Sequence, residues 1–525
     1  MPNPARPAMV MGLETEYSIY ARGQSRTAPA KDGGQLKEMV DALIAEAFTD
    51  PLFTGPQLMV THGQPHGLGW LHNGARLYND MHSTPEYCTP ECPRPDILVA
   101  HDQAGMLIEW RASLLAAQQL GYEIDLYKKN TDGHGHAYGC HENYCVSTRL
   151  WNKLFKGDVN LHQLIMATFF VVRPILTGAG KVGVENAVRT QPFQLSQRAE
   201  FISTFRSQIT TSNRPILNER NEPHANADYW QRVHYIMGDA NMCEASTYLK
   251  TGLTALMFML LQDERNPGFH LPILDGQYPP MAHTVSLDPQ FEARLPVQFA
   301  TRDALYDTGT LPAPEILSRY LGRLAEYVQE RPFQDAGEQA VYADVVARAQ
   351  EYLATLRTGK IHRLYGVLDW PTKYALLENF LGKRGKTFAD AAADDELRKK
   401  MRVYADHAFC SLDRERGLYF RLERAGHITR IVNDAQVLKA TFQPPAGRPQ
   451  LRTLLTDRFV GKIKDVDWAK VNIRSASGKS VTLKLNDPML TVDDALIREI
   501  EGAKSPYELI QSIRRTNRTQ IEIEE

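Results

Sequence analysis

Cysteine is scarce in this chain, at 6 in 525 residues. So few thiols in so long a chain exclude a disulfide scaffold. Cys88-x3-Cys92 and Cys140-x4-Cys145, with His134, His136 and His141 nearby, raise the question of a zinc site. Neither pair has the tight C-x2-C spacing usual in structural zinc sites, and alternation along a strand sends Cys140 and Cys145 to opposite faces. A charge excess is also missing, with 60 basic side chains against 62 acidic ones. Nothing in that balance points to nucleic acid or a membrane surface as the partner. Long hydrophobic runs are absent too: the longest largely apolar stretch, Leu253 to Leu261, is far too short to span a bilayer. The opening M-P-N-P-A-R-P-A-M-V-M-G has no apolar core followed by a small-residue cleavage site, so the expectation is an unprocessed, cytoplasmic protein. There are no internal repeats.

Intact glycine-rich nucleotide motifs are likewise missing. Gly178, Gly180 and Gly183 match the dinucleotide fingerprint in spacing, but they lead into V-E-N-A-V-R-T-Q-P rather than a long amphipathic helix. Gly385-Lys386-Thr387 resembles the tail of a phosphate loop, yet its first glycine would have to stand where Phe380 does. A nucleotide bound here is bound by neither device.

What the chain does have is acid in alternating patterns. Val10 to Ile19 reads as an extended strand with Glu14 and Glu16 on one face and Leu13, Thr15 and Tyr17 on the other. Two neighbouring carboxylates repel each other, and a divalent cation between them turns that cost into a binding site. Asn73 to Tyr87 repeats the theme: Arg76, Tyr78 and Asp80 share one strand face, and beyond a turn at Ser83 and Pro85, Glu86 can swing back toward them. In Cys140 to Cys145, His141 and Asn143 face one way and Glu142 and Tyr144 the other. Arg198 and Arg220 lie in polar, turn-rich segments where a guanidinium can fork onto phosphate or carboxylate oxygens.

The rest of the pattern sets the framework. Residues 21 to 72 read as a loop-rich insertion around one helix from Gln35 to Phe48. Helical spacing runs from Pro95 to Leu120, an apolar core run from Leu161 to Leu176, and a buried helix to about Gln262 with Asp239 or Asn241 as its cap. Trp468 to Arg474 and Val481 to Leu485 form a hairpin signal around S-A-S-G, and T-Q-I-E-I-E-E reads as a frayed tail. The expected division is a large domain over residues 1–429 and a small one over 430–525.

Taken in order, G-L-E-T-E-Y, N-G-A-R-L-Y-N-D-x5-E-Y, Y-K-K-N-T-D-G, Y-G-C-H-E-N-Y, G-A-G-K-V-G, F-Q-L-S-Q-R, E-R-N-E-P-H-A-N and V-H-Y-I-M-G-D-A-N-M resemble the carboxylate–amine ligase-like family of the Pup system. That family holds the Pup ligases and the Pup deamidase/depupylases and is distantly related to glutamine synthetase. The resemblance is dense from Gly12 to Gly252 and weaker beyond. It implies an α+β, glutamine-synthetase-like large domain with a curved antiparallel sheet backed by helices, a small C-terminal α/β domain, ATP and Mg²⁺ as cofactors, and a Pup-like modifier and its protein conjugates as partners.

By the same resemblance Glu14, Glu16, Tyr78 and Glu86 fall on metal-binding positions and Asp80 on the catalytic aspartate. His141 falls on an active-site position, Arg198 and Arg220 on phosphate-contacting ones, and Trp468 on the nucleotide side. The chain departs from the family at Ser18 for Gly, Lys129 for Asn, and Asn221 and Asn226 for Asp. Both family activities need the same electrostatics, since metal and arginines offset phosphate charge while a carboxylate acts on a carbonyl or an amine. The blocks A-G-K-V-G, E-A-S-T-Y-L-K and L-D-W-P-T-K-Y-A-L-L, with the 21 to 72 insertion, favour the hydrolase that deamidates the modifier and removes it from lysines. G-L-E-T-E-Y and the Asn130 to Asp132 triplet resemble the ligase instead, which is the alternative together with a diverged paralogue for another modifier. Two other classes stay open: a non-catalytic modifier-binding protein, and a zinc hydrolase using His134, His136 and His141.

Overall fold

The computed structural model describes residues 7–22, 33–50, 68–80, 83–185, 191–263, 270–300, 305–331, 333, 335–474, 480–516 and 518–524. Its centre is a curved six-stranded antiparallel sheet made from β1 (Met11–Glu16), β2 (Leu68–Trp70), β3 (Arg76–Asn79), β4 (Pro85–Cys88), β5 (Cys140–Ser147) and β6 (Trp230–Tyr235), in the order β6-β5-β1-β4-β3-β2. The expected alternation holds: along β1 and β5 buried residues strictly alternate with half-buried ones, so one face packs and the other stays open. Register then lines up the open-face residues. Glu14 lies between Cys88 and His141, Glu16 opposite Glu86, and Tyr78 opposite Glu86 on the next strand out.

Helices cover the other face. α1 (Gly33–Thr49), α2 (Pro95–Leu120) and α3 (Glu244–Gln262) pack beneath the sheet, and α3 is buried from Glu244 to Leu261. α2 begins on a proline, whose missing N–H costs nothing there, and stops at Gly121 in the left-handed conformation, φ 77°. Of the insertion at 21 to 72, α1 is present, while 23–32 and 51–67 lie outside the described residues.

Two local expectations are corrected. Asp239 and Asn241 do not cap α3, which starts after Cys243. The turn leading into it is held from far along the chain: the Asp369 carboxylate accepts the N–H groups of Met242 and Cys243, just before the helix, at 2.8 and 3.2 Å. The tail is not frayed either, because Glu522–Glu524 adds an edge strand to a four-stranded sheet with Ile463–Asp467, Lys470–Arg474 and Ser480–Lys484. That sheet and the helices around it enclose a separate apolar core running from Leu451 to Ile521, which takes in Trp70 from the large sheet. The helix Asp434–Phe442 instead belongs to the large core through Val437 and Ala440.

Candidate active site

The open face of the sheet gathers two groups of ligating atoms. Glu16, Asp80 and Glu86 form one and Glu14, His141 and His234 the other, each with its atoms within 4.8 Å of one another. Tyr78, the fourth metal position expected from the sequence, lies beside Glu86 on the neighbouring strand and is half-buried. The strand pairing alone brings these residues together.

The two groups differ electrostatically. Burial alone would raise the Glu14 carboxyl, but His234, His141 and Arg232 more than offset it and hold Glu14 well below the usual range. Its oxygens accept from Asn143 Nδ2 at 3.1 Å and Arg232 Nη1 at 3.2 Å, with His141 Nδ1 at 3.3 Å. Glu86 has no such cation: burial, followed by the Glu14, Glu16 and Asp80 charges, pushes its carboxyl well above the carboxylate range. The Tyr78 phenol is also raised, by burial and then by the neighbouring Cys88 and Glu86. Oxygen donors crowded until they repel suit a hard dication such as Mg²⁺, which would relieve that repulsion. Burial pushes the His234 imidazole down against the pull of the Glu14 carboxylate, and its Nε2 is buried without a hydrogen-bond partner among the described residues.

The arginines divide. Arg198 is buried, and its loop is built around Asp239, whose carboxylate accepts the N–H groups of Ala179, Gln197 and Arg198 and the Ser196 hydroxyl at 2.8 to 3.0 Å. Thus the residue expected to cap a helix instead fixes an arginine. The Arg198 guanidinium donates to the Tyr138 carbonyl, and the next residue, Gly139, leaves room for the site side chains, since a Cβ there would lie 2.4 Å from Glu16 Oε1 and 2.7 Å from the His141 ring. Arg220 is half-exposed and pairs with Glu222 at 3.0 Å, a carboxylate it shares with Arg232.

Between the sheet and the small domain lies an open cleft of about 580 Å³, lined by Gly12, Glu14, Thr89, Arg232, His224 and Trp468 among others. Trp468 meets Trp70 edge-on at 4.7 Å, and Arg452 lies over both rings. Sequence reasoning missed His234 and Arg232, although their two-residue spacing in β6 was the available signal. The zinc reading finds no support among the described residues: His141 clusters with Glu14 and His234, His136 pairs with Asp132 on an exposed loop, and no cysteine belongs to either group of ligating atoms.

An α+β fold that presents paired acid groups on an open antiparallel sheet defines an enzyme of the carboxylate–amine-ligase-like type. The chain belongs to the Pup-ligase protein family, whose model matches residues 9–472. It is 33% identical to the Pup--protein ligase of Acidimicrobium ferrooxidans over 95% of this chain and 99% of that one. With the Pup--protein ligase of Xylanimonas cellulosilytica the identity is 32% over 94% and 99% of the two chains. Among solved structures, the complex between Pup and its ligase PafA shares the fold, with TM-score 0.72 and 24% identity over 98% of this chain and 96% of that chain. PafA in complex with ADP superposes with TM-score 0.67 at 26% identity, covering 86% and 90% of the two chains. No helix among the described residues is long and apolar enough to cross a membrane.

Proposed function

We propose that this protein is an ATP- and Mg²⁺-dependent ligase that joins the C-terminal glutamate side chain of a Pup-like modifier to lysines of target proteins. The sequence reading placed the deamidase/depupylase first. Full-length relatives of about one-third identity that carry the ligase name favour the ordering in which ligation leads. The observation that carries the reading is Asp80 at the end of β3, beside the acid group of Glu16 and Glu86.

ATP held with Mg²⁺ supplies the phosphoryl group that activates a carboxylate. Glu14, Glu16, Tyr78 and Glu86 would hold the metal, with His141 and His234 completing the inner group. Arg198 and Arg220 would bind anionic oxygens of the nucleotide and of the activated carboxylate. Trp468, which lines the cleft, would offer its ring to the nucleotide. Asp80 would take the proton from the incoming lysine ammonium so that its lone pair can attack the activated carboxyl carbon, the C–N bond forming as the C–O bond to phosphate breaks and phosphate leaves. In the hydrolase reading the same carboxylate would activate water or attack the carbonyl itself.

The deciding experiment incubates the protein with ATP, Mg²⁺, a lysine-bearing target and a modifier ending in Glu, alongside a modifier ending in Gln and a preformed isopeptide conjugate. Conjugate formation with ATP turnover, and no cleavage, is the expected result. Cleavage of the Gln-ended modifier or the conjugate without ligation would instead establish the hydrolase.

A further inference from the structure

Beneath Asp80, on the packed face of the sheet, lies a polar contact that the reaction itself does not use. β3 alternates, so that Arg76 and Tyr78 face the site while Leu77 and Asn79 face the core, Asn79 with 3% exposure. Leu77 and Ala75 pack into an apolar cluster with Met39, Val40 and Leu43 of α1. Into that layer the strand delivers a side-chain amide at its final residue. Asn79 Nδ2 donates to Asp41 Oδ1 at 2.9 Å, whereas its Oδ1 is buried without a partner among the described residues. An unbonded buried amide is costly, so the contact with Asp41 fixes where the end of β3 sits.

Asp41 is in turn well placed to act as an anchor. α1 is pinned at its far end, where the Phe48 ring occupies the space that a Cβ on Gly69 of β2 would need, 2.0 Å from the ring. Asp50, just past the helix, takes the Arg111 guanidinium of α2. Beyond Asn79, Asp80 is tied by two turn hydrogen bonds, its N–H to the Thr84 carbonyl at 3.0 Å and its carbonyl to the Ser83 N–H at 2.8 Å. We propose that Asp41 and Asn79 are positioning residues, a hydrogen-bonded strut through which α1 holds the Asp80 carboxylate at its working place. The strut itself does not depend on which conversion Asp80 catalyses; only the rate measurement rests on the ligase reading.

The test compares Asp41→Ala, Asn79→Leu, the double variant and Asp41→Asn, with Lys37→Ala as control because Lys37 pairs with Asp41 on the surface. Two quantities are read: amide hydrogen exchange in the segment spanning β3 to β4, and kcat and KM of ligation. Asp41→Ala and Asn79→Leu should each speed exchange there about tenfold and lower kcat about tenfold, with KM for ATP within about twofold. The double variant should be no worse than either single one, since both remove one interaction. Asp41→Asn keeps an oxygen acceptor and should restore both readouts, and Lys37→Ala should change neither. Unchanged exchange in Asp41→Ala, or additive losses in the double variant, would overturn the proposal. Faster exchange in a protein whose wild type joins nothing would keep the strut and sink the ligase reading.

Discussion

Glu14 and Glu86 occupy neighbouring strands of one sheet face, yet their surroundings drive them in opposite directions. Glu14 has a guanidinium and two imidazoles within reach; Glu86 has three carboxylates. The third acid in the row, Asp80, is assigned to proton transfer. Asp80→Asn should therefore lower turnover by roughly 10²- to 10⁴-fold while leaving ATP affinity within a few-fold, as read by ligation kinetics and calorimetry. A second residue-scale prediction concerns Glu109, fully buried with neither oxygen hydrogen-bonded among the described residues, whose carboxyl burial pushes up to about 8. Its folded-state value is raised, so the folded protein keeps a proton that the unfolded chain releases. The penalty is absent below about pH 4.5, grows as pH rises and is complete above about 8. Glu109→Gln should stabilise the protein by roughly 2–4 kcal/mol at pH 8 and by little at pH 4.5, measured by chemical unfolding at both values.

At the scale of elements, β5 is divided by its two faces. His141 and Asn143 serve the site, while Glu142 is buried in a bidentate pair with Arg173 at 2.6 and 2.8 Å and accepts from the Tyr144 hydroxyl at 2.6 Å. Arg173 follows the helix Leu161–Val172, so this pair fixes the sheet on its helical layer. Removing one partner strands a buried charge. Glu142→Ala should cost about 3–5 kcal/mol in thermal unfolding, more than any exposed ion pair in the chain could. α3 shows the same long-range dependence, with the Met242–Cys243 turn that leads into it held by Asp369 rather than by a neighbour in sequence.

At the scale of the whole molecule, the Glu91 carboxylate helps tie the helix Arg448–Arg458 to the large sheet. Glu91 receives Arg448 Nε at 2.8 Å and Arg452 Nη1 and Nη2 at 3.0 and 2.8 Å, while Arg452 also donates to the Trp468 carbonyl. Burial opposes ionisation, but the two arginines prevail and hold Glu91 down at about 2. Because the folded value is depressed, the stabilisation is complete above about pH 4.5 and is lost as pH falls toward 2. Glu91→Gln should flatten that acid limb in a pH series of thermal unfolding. It should also weaken ATP binding about tenfold at neutral pH, because Trp468 lines the same cleft.

Short-range pattern made much of this legible. Alternation placed Glu14 with Glu16, and Arg76 with Tyr78 and Asp80, and periodicity placed α2 from Pro95 to Leu120. Those features depend on neighbours a few positions apart, where backbone geometry fixes side-chain direction. Which strand lies beside which is settled by long-range packing, and that is why His234 joins Glu14, and why Asp239 serves Arg198 instead of starting a helix. The sequence by itself determined the acidic faces and the family to which they belong. Only the tertiary structure decided that Glu86 is crowded by acids while Glu14 is paired, because charge environment is a property of residues brought together from β1, β3, β4, β5 and β6.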